Sequence, residues 1–420
     1  MNVAVVGAGI VGGAIAFHLA RRGAAVTLID AGEPGMGATS HSFAWINSFG
    51  KEPRHYGALN RRALDTWDRF ARLLDADIGL RWGGQLTWAA TDGDAEALAR
   101  KVTKLQSWGY VARMIDQAAM LRLEPGLRPG TVKAAAYSDN DGHVQGTLAA
   151  QTCAKRVQQL GGRLMFGSPV AGLAMHAGQV TAVQLAGAAM PDAALPGGSG
   201  AGGSADASAP GTSVAPAKVT PAKVARAEVA CDEVACDAVV LAAGVTTTGL
   251  AAMAGVHVPQ EESPGVVVRT EPLPPVLRSV AALYAPPPRH GGRRVHLRQG
   301  TDGVVLLGEG SQESLARDDS PEHAARILAR ASVYLPELAS ATPIPVPVGY
   351  RPMPVDGLPV LGYTRAVPNL YVALMHSGIT LAPLVGELAA MEILDGARVD
   401  ILEHYRPERF DRAGDPRDGQ

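Results

Sequence analysis

The chain has 420 residues, of which 47% are hydrophobic and 19% charged, and its formal net charge is -2. This composition is ordinary for a globular protein of one or two domains, and the near-neutral charge gives no reason to expect nucleic-acid or acidic-membrane binding. No apolar run is long enough to cross a bilayer. The three cysteines, Cys153, Cys231 and Cys236, are too few for a disulfide framework, so we expect a cytoplasmic protein without bound metal.

The first thirty residues follow the order strand, glycine-rich turn, helix, strand, acid. An apolar run from Val3 leads into Gly7–Gly12 (GAGIVG), and a second apolar run stops at Asp30. In a dinucleotide-binding unit these glycines make a tight turn, admit a pyrophosphate and let the helix pack on the sheet, while the acid binds a ribose. The pattern therefore predicts a cofactor containing ADP, bound by Gly7, Ala8, Gly9, Ile10, Val11, Gly12 and Asp30. A glycine-rich core turn is the alternative, and the motif alone does not separate NAD from FAD.

Alternating helix and strand patterns follow as far as the middle of the chain. Amphipathic spacing predicts helices, and alternation of apolar with polar residues predicts strands. The expected helices are 56–74, 94–108 and 146–160, and the expected strands are 85–88, 163–166, 170–173 and 179–185.

Between residues 186 and 229 the composition narrows to small residues, proline and lysine, without a single aromatic side chain. Such a segment buries too little apolar surface to fold alone, so we expect a flexible hairpin insert. A five-residue repeat closes the insert and continues through Cys231 and Cys236. Duplication of this unit explains the two cysteines better than a metal site does.

Regular structure is expected again from Asp237 to the end of the chain. Asp237–Gly244 (DAVVLAAG) is typical of a buried strand, and the short apolar runs between residues 264 and 307 predict an antiparallel sheet. Ser320 is expected to cap a helix over 321–335. The last helix is expected over 381–394, entered through His376–Thr380 and closed by Gly396.

Three segments in the second half of the chain, taken with the glycine-rich turn, carry a resemblance to a known family. They are Asp237–Gly244, Tyr350–Gly362 (YRPMPVDGLPVLG) and Asn369–Pro383 (NLYVALMHSGITLAP). In this order and spacing they resemble the FAD-dependent D-amino acid oxidase superfamily, which includes glycine oxidase, sarcosine oxidase and D-amino acid dehydrogenase. The alternative, an NAD-binding reductase, gives no reason for the segments around Arg351 and Gly378.

The resemblance implies an α/β fold, α+β overall, with a discontinuous Rossmann-like FAD-binding domain and a substrate domain built on an antiparallel sheet. The expected FAD-binding domain comprises 1–50, 137–262 and 336–420, and the expected substrate domain comprises 51–136 and 263–335. FAD would lie along the interface between them.

The resemblance also implies positions that contact FAD beyond the N-terminal motif. The final helix would direct its positive dipole end at the flavin, although Gly378 could instead be a simple loop glycine. His41 lies near the place where some relatives attach FAD covalently through histidine, but its flanking residues differ, so non-covalent contact is the expectation. The implied contacts are Thr39, Ser40, His41, Val170, Ala243, Gly244, Gly378, Ile379 and Thr380.

For the substrate, the resemblance implies a carboxylate held by Arg351, because a guanidinium can bind it through two hydrogen bonds. An ion pair between domains or at the surface is the alternative for this residue. Asp356 is expected to organise the turn at Gly357 rather than to take part in chemistry. The side chains that could form the substrate face are Tyr284, His296, Arg298 and Tyr350.

Together these features predict an FAD-dependent oxidoreductase that oxidises the C–N bond of a small amino acid, or of a secondary or tertiary amine bearing a carboxylate. The resemblance implies hydride transfer from the substrate Cα to flavin N5, with the protein supplying position and electrostatics. The sequence leaves open whether oxygen or a carrier such as a quinone accepts the electrons. A flavin-binding subunit of a heteromeric amine dehydrogenase complex, without turnover of its own, is the alternative.

Overall fold

The structure is a computed structural model, and it describes residues 1–186, 232–288, 292–310 and 315–414. The predicted flexible insert and Cys231 lie outside the described residues, apart from Ala186 at the edge of the insert. None of the described helices combines the length and the apolar character needed to cross a membrane.

The helices all follow the start of the glycine-rich turn in sequence and are numbered in chain order. Within the described residues the α-helices are α1 (Ile10–Arg21), α2 (Arg54–Leu64), α3 (Trp67–Leu74), α4 (Asp92–Ser107), α5 (Gln117–Leu123), α6 (Gly146–Gln159), α7 (Thr247–Met253), α8 (Pro321–Ser332) and α9 (Gly378–Asp395). Short 3-10 helices cover Gly244–Thr246, Pro336–Ser340, Asp400–Tyr405 and Pro407–Gly414.

The strands are numbered in the same way. They are β1 (Asn2–Val6), β2 (Ala25–Ile29), β3 (Trp45–Ile46), β4 (Arg81–Trp82), β5 (Gln85–Ala89), β6 (Ala112–Ile115), β7 (Ala134–Ser138), β8 (Gly142–His143), β9 (Arg163–Met165), β10 (Val170–His176), β11 (Gln179–Leu185), β12 (Glu233–Ala235), β13 (Ala238–Leu241), β14 (Gln260–Gly265), β15 (Val268–Pro272), β16 (Ala282–Ala285), β17 (Val295–Gln299), β18 (Val304–Glu309), β19 (Pro343–Pro345), β20 (Gly349–Pro354), β21 (Val360–Tyr363) and β22 (Leu370–Leu374).

One sheet has the order β21-β22-β13-β1-β2-β9, and every neighbouring pair in it is parallel except β21 with β22. All four residues of β13 are buried, as an uninterrupted apolar strand covered on both faces requires. Helix α1 packs against α6 and α9 on one face of this sheet. The carboxyl ends of β1, β2, β13 and β22 therefore meet at one edge.

A second sheet has the order β19-β15-β18-β17-β16-β5-β7-β6 and is antiparallel apart from the pair β16 with β5. Ile327 and Leu328 of α8 pack in one apolar cluster with Leu297 and Leu307 of this sheet. The antiparallel sheet predicted over 264–307 supplies four of the eight strands. β19 and part of β7 lie outside the predicted substrate-domain boundaries, and the division into domains stays a prediction.

Two helix predictions need correction. The helix expected over 56–74 is two helices, α2 and α3, because the Thr66 side chain turns back to donate a hydrogen bond to the Ala63 carbonyl at 2.6 Å. The last helix begins at Gly378 rather than Leu381, so Gly378–Thr380 form its first turn. The Ser320 cap is confirmed, and Gly396 ends α9 with a φ of 65°.

Candidate active site

A cavity of about 570 Å³ lies at the carboxyl edge of the six-stranded sheet. Its lining comes from the ends of β1, β2, β13 and β22, and also from β3, β17, β20 and the first turn of α9. In open α/β sheets ligands bind at this edge. The volume lies in the range of cofactor and substrate sites.

The glycine-rich turn forms one end of the cavity and leaves no room for side chains. Gly7 has a φ of 106°, a conformation that favours glycine. A Cβ atom on Gly12 would lie 1.9 Å from the Gly7 carbonyl oxygen, and one on Gly9 would lie 3.3 Å from Thr39 Oγ1. Gly12 therefore lets α1 pack tightly against the turn, while Gly9 keeps the cavity side of the turn open.

Helix α1 begins at this end of the cavity after Gly9, which has no capping side chain, so the N–H groups of its first turn other than that of Ile10 can face a ligand. Ile10 donates its N–H to Thr39 Oγ1 at 3.2 Å. The carboxylate of Asp30 accepts the N–H of Ala8 at 2.6 Å and that of Gly32 at 2.9 Å. These bonds fix Asp30 at the cavity edge and leave lone pairs that can accept ribose hydroxyl groups.

A second uncapped helix terminus, that of α9, lines the same cavity. Thr380 Oγ1 accepts the Asn47 N–H and donates to the Trp45 carbonyl, each at 3.2 Å, and so ties the first turn of α9 to β3 and the residue after it. Two positive helix ends and a glycine cradle in one cavity fit a long cofactor that carries a pyrophosphate and a second electron-rich end.

Cationic side chains lie in the wall away from the glycine turn. Arg351 of β20 donates hydrogen bonds to the carbonyl oxygens of Ser263, at 3.3 Å, and of Pro264. Lys51 and His376 line the cavity with it. Burial, with a smaller contribution from the charges of Lys51 and Arg351, lowers the pKa of His376 to about 3. His376 is therefore neutral near pH 7 and lies close to two positive charges.

Another part of the wall contains a group of packed rings, the aromatic column, formed by Phe43, Trp45, Tyr284 and His296. The rings of Tyr284 and His296 are stacked with centroids 4.9 Å apart, and the Trp45 ring lies 5.0 Å from that of Tyr284. Phe43 meets the His296 ring edge-on at 4.9 Å. Burial among these rings lowers the pKa of His296 to about 4, so its imidazole is also neutral at pH 7.

Comparison with known proteins decides the family. Residues 2–391 match the FAD dependent oxidoreductase family, DAO. The chain belongs to this family. The predicted family, fold class and enzyme class, an FAD-dependent oxidoreductase, are thereby confirmed, and the ADP-containing cofactor of the family is FAD rather than NAD.

Three distant relatives of this flavoenzyme match nearly its whole length. It is 24% identical to one of the subunits of opine oxidase from Agrobacterium tumefaciens (strain Ach5), over 98% of each chain. The crystal structure of glycine oxidase from Geobacillus kaustophilus matches 97% of this chain and 98% of its own, with a TM-score of 0.76 and 23% identity. Iminodiacetate oxidase (IdaA) from Chelativorans sp. BNC1 matches 96% of this chain and 98% of its own, with a TM-score of 0.72 and 20% identity.

Most of the predicted site residues line the cavity of this DAO-family chain. Those that do are Gly7, Gly9, Ile10, Val11, Asp30, Thr39, His41, Val170, Ala243, Gly244, His296, Tyr350, Arg351, Gly378, Ile379 and Thr380. Tyr350 is 41% exposed. Its hydroxyl oxygen accepts a hydrogen bond at 3.4 Å from the guanidinium group of Arg317, which lies at the surface. His41 Nδ1 lies 3.1 Å from Ser40 Oγ and 3.2 Å from the Gly37 carbonyl oxygen.

Ala8, Gly12, Ser40, Tyr284 and Arg298 do not belong to the described lining. Ser40 donates its hydroxyl to the Met36 and Gly37 carbonyl oxygens, which directs it away from a ligand role. Arg298 is buried and donates to the Phe43 carbonyl oxygen, so it supports the segment before β3. Burial lowers the pKa of Arg298 to about 9. Asp356 organises its turn as predicted, accepting the Leu358 N–H at 3.0 Å.

Sequence reasoning missed Trp45, Asn47, Lys51 and His376 as lining residues. Trp45 and Asn47 occupy alternate positions, which places both side chains on one face of an extended segment. That alternation is too short to be noticed in the sequence. His376 belongs to the segment Asn369–Pro383, which carries the family resemblance, and it lies two residues before Gly378. Its place in that segment could have indicated that it lines the site.

Proposed function

We propose that this protein oxidises the C–N bond of a small amino acid, or of a secondary or tertiary amine that bears a carboxylate. The observation that carries the proposal is that the glycine turn at Gly7 and the guanidinium-bearing residue Arg351 line one cavity. FAD, when bound, supplies the two-electron oxidation that converts the amine to an imine, which water then hydrolyses. The protein supplies the binding groups and their electrostatics.

FAD would be held by the first turns of two helices, α1 and α9, which both line the cavity. The N–H groups at the start of α1 suit its pyrophosphate, and Asp30 suits its adenosine ribose. Gly378–Thr380 at the start of α9 provide a positive helix end that stabilises negative charge on the reduced ring. Ser40 lies outside the cavity lining, and its hydroxyl group already donates to backbone carbonyl oxygens. We therefore assign it no direct contact with FAD.

The substrate carboxylate is assigned to Arg351. Lys51 adds a second positive charge in the same part of the cavity, while neutral His376 adds none. The low pKa values of His376 and His296 make them poor proton acceptors near pH 7. These two side chains are therefore not expected to take the proton of the amine.

Arg351→Ala tests this assignment. We expect the KM for a carboxylate-bearing substrate to rise by about tenfold or more, the scale of a lost charged hydrogen bond. Arg317→Ala is the matched control, because it removes a cation beside Tyr350 whose charged end is at the surface. An unchanged KM in Arg351→Ala, or an equal rise in both variants, would contradict the carboxylate role. Thermal unfolding of both variants checks that the fold is intact.

A second candidate function is a catalytic or flavin-binding subunit of a heteromeric complex. It is favoured by the likeness to the opine oxidase chain, itself named as a subunit, over nearly the whole of both sequences. Turnover by the purified chain alone, with oxygen or with a quinone as acceptor, would favour a self-sufficient enzyme. Tightly bound FAD without turnover, restored by a co-purifying chain, would favour the role in a complex.

We also propose that FAD is held without a covalent bond to His41. The ring nitrogen Nδ1 of His41 lies within 3.2 Å of two oxygen atoms of its own loop, which already orient the ring. Flavin released into the supernatant by acid precipitation would support this, and flavin retained in the pellet would contradict it.

A cytoplasmic location agrees with the use of cysteine, since Cys153 and Cys236 are free thiols.

A further inference from the structure

Ser377 stands directly before α9 but does not cap it. Its backbone has a φ of -83° and a ψ of 38°, and its side chain accepts no N–H group of the helix. Ser320, at the same position before α8, has a ψ of 152° and accepts the His323 N–H at 3.2 Å. A serine caps a helix from this extended backbone conformation. Ser377 is therefore held in a conformation that leaves the first turn of α9 uncapped.

Tyr56 holds the hydroxyl group of Ser377 in this position. The Tyr56 hydroxyl group donates a hydrogen bond to Ser377 Oγ at 2.7 Å, and the two residues are only 4% and 8% exposed. Tyr56 lies in the first turn of α2, which packs against α9. Its N–H donates to the Pro53 carbonyl oxygen at 2.9 Å, and its own carbonyl oxygen accepts the Asn60 amide at 2.9 Å. The Tyr56 hydroxyl group is thus carried by a well-fixed residue.

The first turn of α9 is held in place by other bonds. Thr380 Oγ1 bonds to the backbone of Trp45 and Asn47, as described above. The indole N–H of Trp67 in α3 donates to the Thr380 carbonyl oxygen at 3.2 Å. Loss of the Tyr56 hydroxyl group would therefore release the Ser377 side chain while these bonds keep the helix where it is.

The N–H groups of this first turn are available to a ligand. No described residue accepts a hydrogen bond from the N–H groups of Gly378, Ile379 or Thr380, and all three residues line the cavity. Such N–H groups point out of the helix end and attract negative charge. A capping Ser377 would accept the N–H of Ile379 or Thr380 and so remove a donor from the cavity.

We propose that Tyr56 is a positioning residue for the flavin, which keeps the N–H groups at the start of α9 open to FAD by holding the Ser377 hydroxyl group. This role rests on the proposed function, in which the start of α9 stabilises negative charge on the reduced ring. Without the Tyr56 hydroxyl group, Ser377 caps α9 and competes with the flavin for those donors. Reduced FAD loses more than oxidised FAD, because the negative charge is present only after reduction.

Tyr56→Phe tests the proposal, because it removes the hydroxyl group and keeps the ring. We expect reduced FAD to bind about fivefold more weakly relative to oxidised FAD, which lowers the midpoint potential by about 20 mV for a two-electron couple. The potential of the FAD-loaded protein is measured anaerobically against reference dyes and needs no substrate turnover.

Tyr405→Phe is the matched control and should leave the potential unchanged. Tyr405 is also buried, and its ring lies 6.5 Å from that of Tyr56. Its hydroxyl group lies 2.9 Å from Nδ1 of His55, which does not belong to the described lining.

Ser377→Ala distinguishes a capping effect from a general loosening of the structure. Alone it should leave the potential close to that of the wild type, because alanine is a poor cap and leaves the N–H groups open. Combined with Tyr56→Phe, it should restore the potential that Tyr56→Phe lowers. A defect caused by lost packing would instead persist in the double variant. FAD content and unfolding temperature are measured for all four chains.

Three outcomes would overturn the role of Tyr56. They are an unchanged potential in Tyr56→Phe, a drop that persists in the double variant, and an equal drop in Ser377→Ala alone, which would show that the Ser377 hydroxyl group itself contacts the flavin. If a carboxylate-bearing amine still bleaches the wild type, the proposed function stands in each case. The expected pattern of potentials in a chain that no such amine bleaches would support the role of Tyr56 and refute the amine-oxidising function. A wild-type chain that binds no FAD would overturn both.

Discussion

The two ends of the cavity are built in different ways. The end around Gly7 and Asp30 comes from one continuous stretch, β1-α1-β2, and its carboxylate is held by two nearby backbone N–H groups. The other end is assembled from β3, β17, β20 and the start of α9, which are distant in sequence, and it adjoins the first end, since a Cβ on Gly378 would lie 3.1 Å from Val11 Cγ2. It contains the cationic side chains Lys51 and Arg351. We therefore expect the continuous end to bind the cofactor and the assembled end to determine which substrate is accepted.

Breaking the continuous end should have the largest effect. In Gly12→Ala the added Cβ would lie 1.9 Å from the Gly7 carbonyl oxygen, so α1 cannot keep its place on the turn. We expect the loss of most bound FAD and a lower unfolding temperature, measured by the flavin-to-protein absorbance ratio and by thermal unfolding. Gly93→Ala is the control, because nothing lies within 4 Å of its added Cβ. Full FAD content in Gly12→Ala would contradict the role of the turn.

A smaller, pH-dependent effect is expected beneath the assembled end. Asp141 precedes β8, the partner of β3, and it accepts a hydrogen bond from the hydroxyl of Tyr110. Burial raises the pKa of Asp141 to about 7 from an ordinary value of 3.8. The folded chain therefore keeps this proton where the unfolded chain has lost it, and stability falls as pH rises from about 4 to about 7.

Asp141→Asn removes this titration but keeps an oxygen that can accept the Tyr110 hydrogen bond. We expect the free energy of unfolding of the variant, minus that of the wild type, to increase between about pH 4 and pH 7, by up to a few kcal/mol. Urea unfolding at several pH values measures this difference. Asp139→Asn, which alters an exposed ion pair with Arg113, should give a difference that does not change with pH. A flat difference for Asp141→Asn would show that Asp141 is already ionised.

The parts of the molecule that sequence could predict are those with local signals. The glycines at 7, 9 and 12 and the acid at 30 have fixed spacing, and the Ser320 cap lies directly before its helix. The break between α2 and α3 could not be predicted, because the hydrophobic spacing continues across it while the Thr66 side chain competes with the helix. The early start of α9 was missed because Gly378 is a poor helix former.

The assembled end was predicted only where a motif marked it. Arg351 and Gly378 belong to segments that carry the family resemblance, and both line the cavity. Trp45 and Asn47 belong to no motif, and their importance comes from tertiary contacts with Thr380 and the aromatic column. Tyr284 was predicted as part of the substrate face, but among the described residues it acts by supporting the ring of His296.

The central claim is that a carboxylate-bearing amine reduces FAD held in this cavity. Its most direct test is anaerobic absorbance spectroscopy of the purified chain with glycine, sarcosine, proline and D-amino acids. We expect flavin absorbance in the purified protein and bleaching by at least one of these amines, but not by the same amine lacking its carboxylate. A chain that binds no flavin, or flavin bleached equally without the carboxylate, would contradict it.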